Sequence, residues 1–372
     1  MKIIEIMDNL SVAGGVNSFV YDLCFAIKEQ GGDVTLIAIM KNRGTTNQQV
    51  EELQRKGIKV ICLGAKNKLD AILHYVKILR RQLVELSNGD QTICNLHLKL
   101  GVLMGCLAGF GLKNLQLVET YHSLYSHYWL QNFVLQSRIK KYIACSKSAM
   151  EEMEKRFSFS KKKLTYVSNG VNRDFLLSKK LEYSAKEFID VISIGRFTDQ
   201  KNFGLTAEAF SKLCSEQIRY SIIGEGVQKE QIVNACNGNA YISIKPPMER
   251  NEIIQVLSRA DLLVMPSLWE GLSILLLEAM TIGTPLMLSD IASFTDTLSE
   301  KPLEQGETWR ICKWGFLISN SSENGYGEAL KYYAEHKELR KTFSENVMKL
   351  SVQYGIDKTA AKYIDIFKTM FN

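Results

Sequence analysis

Residues 260–290 read ADLLVMPSLWEGLSILLLEAMTIGTPLMLSD, and this stretch decides how the rest of the chain is read. DLLVMP is an apolar run with the length of a buried strand. The breakers Pro266, Ser267, Trp269, Glu270 and Gly271 follow, and then SILLLEAMTI, a run of strong helix formers. Gly283 and Pro285 stop that helix, and PLML reads as the next buried strand. Strand, polar loop, helix and strand make a βαβ unit, whose ligands sit where the strand's carboxyl end meets the helix N-terminus. Glu270 falls at that place, with the backbone amides of Gly271, Leu272 and Ser273 aimed at an anion. Glu278 interrupts the apolar LLLEAM, where a carboxylate needs a partner. A helix dipole could account for Glu270 alone and solvation for Glu278 alone. Together beside one loop they point to a functional site.

The whole chain has 372 residues, enough for two domains of ordinary size. Its 46% hydrophobic and 23% charged residues are globular values, and five prolines leave little room for long linkers. Eight cysteines, at 24, 62, 94, 106, 145, 214, 236 and 312, show no C-x-x-C pair and no metal-ligand spacing. They read as reduced core thiols of a cytoplasmic protein. MKIIEIMD is no signal peptide, and GVLMGCLAGFGL at 101–112 is too short to span a bilayer, so it reads as a buried helix. Net charge is +6 but divided unevenly: residues 1–180 carry 26 Lys/Arg against 15 Asp/Glu, and residues 181–372 carry 20 against 25. Basic groups gather at Lys77/Arg80/Arg81, Arg138/Lys140/Lys141 and Lys161/Lys162/Lys163. Each cluster alone reads as a solvated face. With the excess charge they suggest peripheral contact with an anionic membrane, at the inner face of the plasma membrane, or with a lipid-phosphate acceptor. No recognised module or aromatic-basic stripe indicates nucleic acid.

KIIEIM, DVTLIAIM, IKVICL, QTICNL, LQLVET and KKYIACS are strand-like, with helical stretches between them such as 70–86. That alternation is the pattern of a doubly wound parallel α/β sheet. Gly14-Gly15, before the helical FVYDLCFAIKEQ, allow close backbone approach to an anion or sugar, though a plain tight turn reads as well. The loop lacks G-x-G-x-x-G, so a dinucleotide site is not indicated. His122 follows the LVET strand, at a carboxyl end where functional groups collect; His127 has no such support. Ser146 caps a helix with Ala149, Met150 and Met153 on one side. In the second half FIDVISIGRFTDQKNFGLTAEAF places Arg196 and Lys201 after a buried strand, where two cations could hold a diphosphate. The Gly224-Glu225-Gly226 turn after IRYSII is a common βα turn. The terminal stretch sets Ala361, Ile364, Phe367 and Phe371 at helical spacing.

The two glutamates at E-x7-E spacing, the Ala-Met after Glu278 and the Gly-x-Pro beyond it resemble the signature of the retaining glycosyltransferases of family 4. The G-R-x(4)-K spacing of Arg196 and Lys201 resembles that family's diphosphate site. The resemblance implies the GT-B fold: two Rossmann-like doubly wound parallel-sheet domains facing a cleft. Its boundaries here are an acceptor-side domain at 1–175, a nucleotide-sugar domain at 185–355, and a helix at 356–372 crossing back to the first. It implies Arg196 and Lys201 on the donor diphosphate, Glu270 on the sugar hydroxyls, and Glu278 on the ribose. Gly224, Glu225 and Gly226 border the nucleotide, and Met248 stands near the base in a Lys245-Pro246-Pro247-Met248 loop where relatives carry a glycine. His122 and the Gly14-Gly15 loop complete the site from the first domain, and Asn172 stands where relatives carry aspartate. Activity is expected as metal-independent transfer, without a cofactor, from a nucleotide-sugar, UDP-linked by preference, to a glycan or lipid-linked acceptor in bacterial surface polysaccharide assembly. No D-x-D motif demands a metal. Two other functions fit the architecture: a sugar-nucleotide 2-epimerase, which needs no acceptor, and a non-catalytic partner subunit, against which the four charged residues count.

Overall fold

The computed structural model describes residues 1–10, 14–41, 47–122, 135, 137–155, 160–178, 188–213, 215–320 and 322–371. The described residues divide into two compact units, Met1–Gly170 with Ile356–Asn372, and Val171–Gly355. In the first, strands β1 (Lys2–Met7), β2 (Asp33–Met40), β3 (Lys59–Ala65), β4 (Thr92–His97), β5 (Leu115–Tyr121), β6 (Lys141–Ala144) and β7 (Leu164–Tyr166) form one parallel sheet. Its order is β3-β2-β1-β4-β5-β6-β7. In the second, β8 (Ile189–Ile194), β9 (Ile218–Ile223), β10 (Ile242–Lys245), β11 (Leu262–Met265), β12 (Leu286–Ser289), β13 (Trp309–Cys312) and β14 (Gly315–Ile318) follow the order β10-β9-β8-β11-β12-β14-β13. Central strands such as β1, β4 and β11 are buried almost end to end, because helices cover both faces of a parallel sheet. That is why LLVM reads as an unbroken apolar run rather than an alternating one.

Strand order reverses between β1 and β4 in the first sheet and between β8 and β11 in the second. Neighbouring strands there send their following loops to opposite faces, which opens a crevice at the carboxyl edge. The glycine loop follows β1, the Arg196–Lys201 loop follows β8, and the Glu270 loop follows β11. Both doubly wound sheets were expected. Unexpected was the β13–β14 hairpin, an antiparallel pair at the edge of the second sheet. Trp309 and Arg310 of β13 are only half-buried, so TWRIC carries no core-strand signature.

The division between the units falls at Gly170, five residues ahead of the expected 175. Val171 N–H donates to Tyr354 O at 2.7 Å. Phe175, in the short helix Arg173–Leu177, is fully buried within the second unit, 5.2 Å beneath the Arg250 guanidinium. Asn172 caps that helix by accepting from Asp174 N–H at 2.8 Å, a role that aspartate would fill as well. At Gly170 a Cβ would lie 2.5 Å from Ile356 Cα, so only glycine admits the closing helix Ile356–Thr369.

That helix belongs to the first unit and packs on the helix Gly15–Glu29. Gln30 Nε2 donates to Asp357 O at 2.9 Å, and Thr359 Oγ1 donates to Ser168 O at 3.1 Å. Its buried face includes Ala360, Tyr363 and Phe367; Phe367 was expected there, while Ala361 and Ile364 stand one position round from it. The rotation takes the Tyr363 hydroxyl inward to Thr120 at 3.2 Å, a polar partner that hydrophobic periodicity does not register. As expected, Ser146 Oγ accepts from Ala149 N–H at 3.1 Å, and residues 101–108 lie in a largely buried helix, Leu98–Ala108.

Candidate active site

In the second unit the loops after β8 and β11 are joined by backbone and side chain. Gln200 O accepts from Leu268 N–H at 2.8 Å, and Gln200 Nε2 donates to Trp269 O at 2.9 Å. Between them sits Glu270, only 7% exposed. Its Oε1 accepts from Lys201 Nζ at 2.5 Å and from Ser267 Oγ at 2.8 Å, and its Oε2 lies 3.4 Å from Gln200 Nε2. Ser267 is held in turn by Ser289 Oγ at the end of β12, which donates to Ser267 O at 2.5 Å. A carboxylate this deep is tolerable because a cation and two neutral donors share its charge. Arg196 stands in the same loop as Lys201 and is exposed.

The turn Gly224–Gly226 after β9 lies directly against the β8 loop. Phe197 N–H donates to Glu225 O at 2.7 Å, and Gln228 N–H donates to Phe197 O at 3.1 Å. A Cβ on Gly224 would stand 1.9 Å from Gly195 O, and one on Gly226 would stand 2.4 Å from Phe197 O; both glycines also have φ near +150°. They are glycines so that two backbones can touch. Glu225 itself is exposed. Met248 is half-buried after β10, one residue before Glu249, which caps the helix Arg250–Arg259 in a reciprocal box with Glu252.

The partner that Glu278 requires is Arg250, whose Nη2 is 3.7 Å from Glu278 Oε1; Glu278 is 6% exposed. The sequence did not name Arg250, which sits in a different helix. The amides of Gly271, Leu272 and Ser273 lie just ahead of the helix rather than in its first turn. The helix begins only at Ile274, and Ser273 is its cap, accepting from Leu276 N–H at 3.4 Å. Gly271 and Leu272 lie in the bend ahead of it.

In the first unit Gly14, with φ +130°, caps the helix Gly15–Glu29 through its carbonyl, which accepts from Ser18 N–H at 3.2 Å; Gly14 and Gly15 are exposed. His122 is half-buried at the end of β5, with Nε2 2.9 Å from His97 Nδ1. Burial, and then the neighbouring His97, hold the His122 imidazole well below its usual pKa. His97 contacts Glu5, and these two residues were missed from sequence. Glu5 in KIIEIM carried the signal that flagged Glu278, a carboxylate inside an apolar run. Gln200 and Ser267 carried none. His127 lies outside the described residues.

The basic clusters are partly committed to the fold. Arg80 donates to Ala108 O and Phe110 O at 2.9 and 2.6 Å, Arg138 stacks on Phe110, and Lys163 donates to Ile139 O at 2.8 Å. Among the described residues no helix is long and apolar enough to cross a membrane.

Two parallel α/β units with their polar loops at the carboxyl edges define the class, a GT-B glycosyltransferase fold. Two family models cover most of the chain: "Glycosyltransferase Family 4" matches residues 13–175, and "Glycosyl transferases group 1" matches residues 177–350. The chain belongs to this glycosyltransferase family. It is similar to an uncharacterized glycosyltransferase of Haemophilus influenzae, 25% identical over 94% of this chain and 95% of that protein. It is also 25% identical to the N-acetylgalactosamine-N,N'-diacetylbacillosaminyl-diphospho-undecaprenol 4-alpha-N-acetylgalactosaminyltransferase of Campylobacter jejuni. That match covers 60% of this chain and 56% of the relative, so it spans about half the relative's length. Anabaena HepE, solved in complex with UDP and glucose, superposes with a TM-score of 0.79 over 99% of this chain and 100% of its own, at 13% identity. At that identity the likeness concerns the fold.

Proposed function

We propose that this chain is a retaining, metal-independent glycosyltransferase that moves a sugar from a UDP-sugar to an acceptor in bacterial surface polysaccharide or lipid-linked glycan assembly. The observation that carries the reading is the ion pair of half-buried Lys201 with buried Glu270 beside exposed Arg196, at the point where the strand order of the second sheet reverses. Departure of a nucleoside diphosphate leaves an oxocarbenium-like carbon and puts negative charge on the leaving phosphate. Arg196 and Lys201 oppose that growing charge, and Glu270 holds the Lys201 ammonium in place while its free lone pairs accept from sugar hydroxyls. Glu278, braced by Arg250, accepts from the ribose. Gly14, Gly15 and His122 serve the donor from the first unit. The two cations supply the role a divalent ion plays elsewhere. The UDP complex of HepE and the undecaprenol-linked substrate in the Campylobacter relative's name support the donor and acceptor classes.

Membrane contact is assigned to the helical run 68–87. Its exposed Leu69, Ile72, Leu73, Ile78 and Val84 are interleaved with exposed Lys68, Lys77 and Arg81. An apolar face with cations among it suits an anionic bilayer surface.

The test is thermal unfolding with UDP-, GDP- and ADP-sugars, for the wild type and Arg196→Ala. A ligand at a hundred times its Kd adds about 2.7 kcal/mol to the native state. Only UDP-sugars should raise the melting temperature, Arg196→Ala should abolish the rise, and transfer with retained anomeric configuration should persist in EDTA. No shift with any of the three nucleotides would defeat the proposal.

A further inference from the structure

The carboxyl edge of the first sheet holds a row of buried polar side chains that ends at His122. Glu5 on β1 is paired in register with Asn95 on β4, and His97 lies two residues further along the same face. Glu5, Asn95 and His97 are fully buried. Glu5 Oε2 lies 2.6 Å from His97 Nε2, and Asn95 Nδ2 donates to the same oxygen at 2.8 Å. Thr120 Oγ1 donates to Asn95 Oδ1 at 2.9 Å, so the Tyr363 hydroxyl at 3.2 Å is the donor to Thr120. On the other side His97 Nδ1 faces His122 Nε2 at 2.9 Å, with the two rings stacked 5.2 Å apart.

The direction of the last hydrogen bond depends on how many protons Glu5 and His97 hold between them. If Glu5 is protonated, its hydroxyl donates to His97 Nε2, and His97 carries its own hydrogen on Nδ1. If that proton passes to His97, the imidazolium still carries hydrogen on Nδ1. Either way His97 donates to His122 Nε2, which must be bare, and the hydrogen of a neutral His122 sits on Nδ1. A proton on Glu5 Oε1 would also reverse the row, but as a buried hydroxyl with no acceptor among the described residues; the other reversing state is loss of the shared proton. That state would leave a net buried charge on Glu5, whose Oε1 has no partner among the described residues.

We infer that Glu5 and His97 are positioning residues that hold His122 with its hydrogen on Nδ1, so that the ring offers a hydrogen-bond donor to the donor sugar. The inference rests on the proposed role of His122 at that sugar. Burial raises Glu5 to about 8 and lowers His97 to about 3, which keeps the shared proton in place at neutral pH. The other titratable groups around the row are Cys24, with Asp22 acting on it from the same helix, Cys94 on β4, Tyr363 on the closing helix, and Cys145. Burial pushes Cys24, Cys94 and Tyr363 upward, so these stay neutral while Glu5 titrates.

The full chain with nitrogen-labelled histidine tests this directly. Long-range proton–nitrogen spectra at neutral pH should show His122 with a bare Nε2 and a protonated Nδ1. The opposite pattern in the wild-type protein overturns the inference. Turnover gives the second arm. Glu5→Leu should lower kcat about 10²-fold, the scale of a misdirected contact, with little change in the donor KM. Glu5→Gln can put an N–H donor in the same place but loses the bond from Asn95 Nδ2, and should restore part of that loss. It should also abolish the fall in kcat expected of the wild type as pH rises through 8. A folded Glu5→Gln as slow as Glu5→Leu, or one with an unchanged alkaline limb, overturns the inference. Should the chain transfer no sugar, the tautomer measurement still stands, so failure of the function and failure of the relay are told apart.

Discussion

Lys201→Met removes the cation from Glu270 and leaves its surroundings in place. The pair is mostly buried, with side chains 16% and 9% exposed and a 2.5 Å contact. Breaking a fully buried ion pair from one side costs about 3–5 kcal/mol, because the remaining charge is stranded. Here Ser267 Oγ still donates at 2.8 Å, with Gln200 Nε2 at 3.4 Å, and the loop is partly open to water. The expected loss is therefore about 2–3 kcal/mol, or roughly 5–10 °C in the melting temperature of a unit this size. Glu270→Gln in the Lys201→Met background removes the stranded charge and should recover at least about half of the loss. The coupling of the two changes measures the pair. Urea unfolding supplies the stabilities, and calorimetric titration with UDP supplies the functional half. UDP affinity should fall in the single variant and stay low in the stabilised double variant, because a neutral pair cannot oppose a diphosphate. A single variant as stable as wild type would refute the electrostatic account of the loop. Restored UDP binding in the double variant would show the pair to be architectural only.

Gly226→Ala forces a Cβ to 2.4 Å from Phe197 O at a φ of +153°; about 2–4 kcal/mol of lost stability in urea is expected, and a neutral outcome would mean the β8 loop moves aside freely. Burial raises Glu5 and Glu119 from 4.5 to about 8, so the stability they contribute is full below pH 4.5 and is lost as pH rises through 8. His97, lowered to about 3, acts in the opposite sense below its ordinary 6.5. Between pH 6.5 and 8 only the acids count, and unfolding free energy should fall by up to about 1.4 kcal/mol per pH unit for each; a flat profile over that window in urea titrations would contradict the burial of both carboxyls. Leu69→Asp with Leu73→Asp should reduce co-sedimentation with phosphatidylglycerol vesicles at least tenfold, since burying one leucine is worth roughly 1.5–3 kcal/mol. Equal partitioning of the wild type to neutral and anionic vesicles would remove the case for membrane contact.

Much of the candidate site was legible because it lies in βα loops, where one short stretch of sequence carries both the strand that ends and the residues that follow it. Glu270 and Glu278 stood out as carboxylates against apolar neighbours, and Arg196 and Lys201 as cations at a strand's end. The helix boundary was less legible. Ser273 was read for its backbone amide, and its hydroxyl also caps the helix. The choice depends on where the chain turns after Glu270, which local propensity does not settle.

The sequence by itself determined two doubly wound α/β units and the loops that carry the charged groups. Buried strands and amphipathic helices write their periods locally, and a breaker cluster marks each carboxyl end. Only the tertiary structure decided the partners. Arg250 reaches Glu278 from another helix, Gln200 reaches Glu270 from another loop, and Glu5, His97 and His122 meet across three strands. Such pairings join residues up to 92 positions apart. They are fixed by strand order and register, which no single segment encodes, and they set the charge, the proton and the direction of each hydrogen bond.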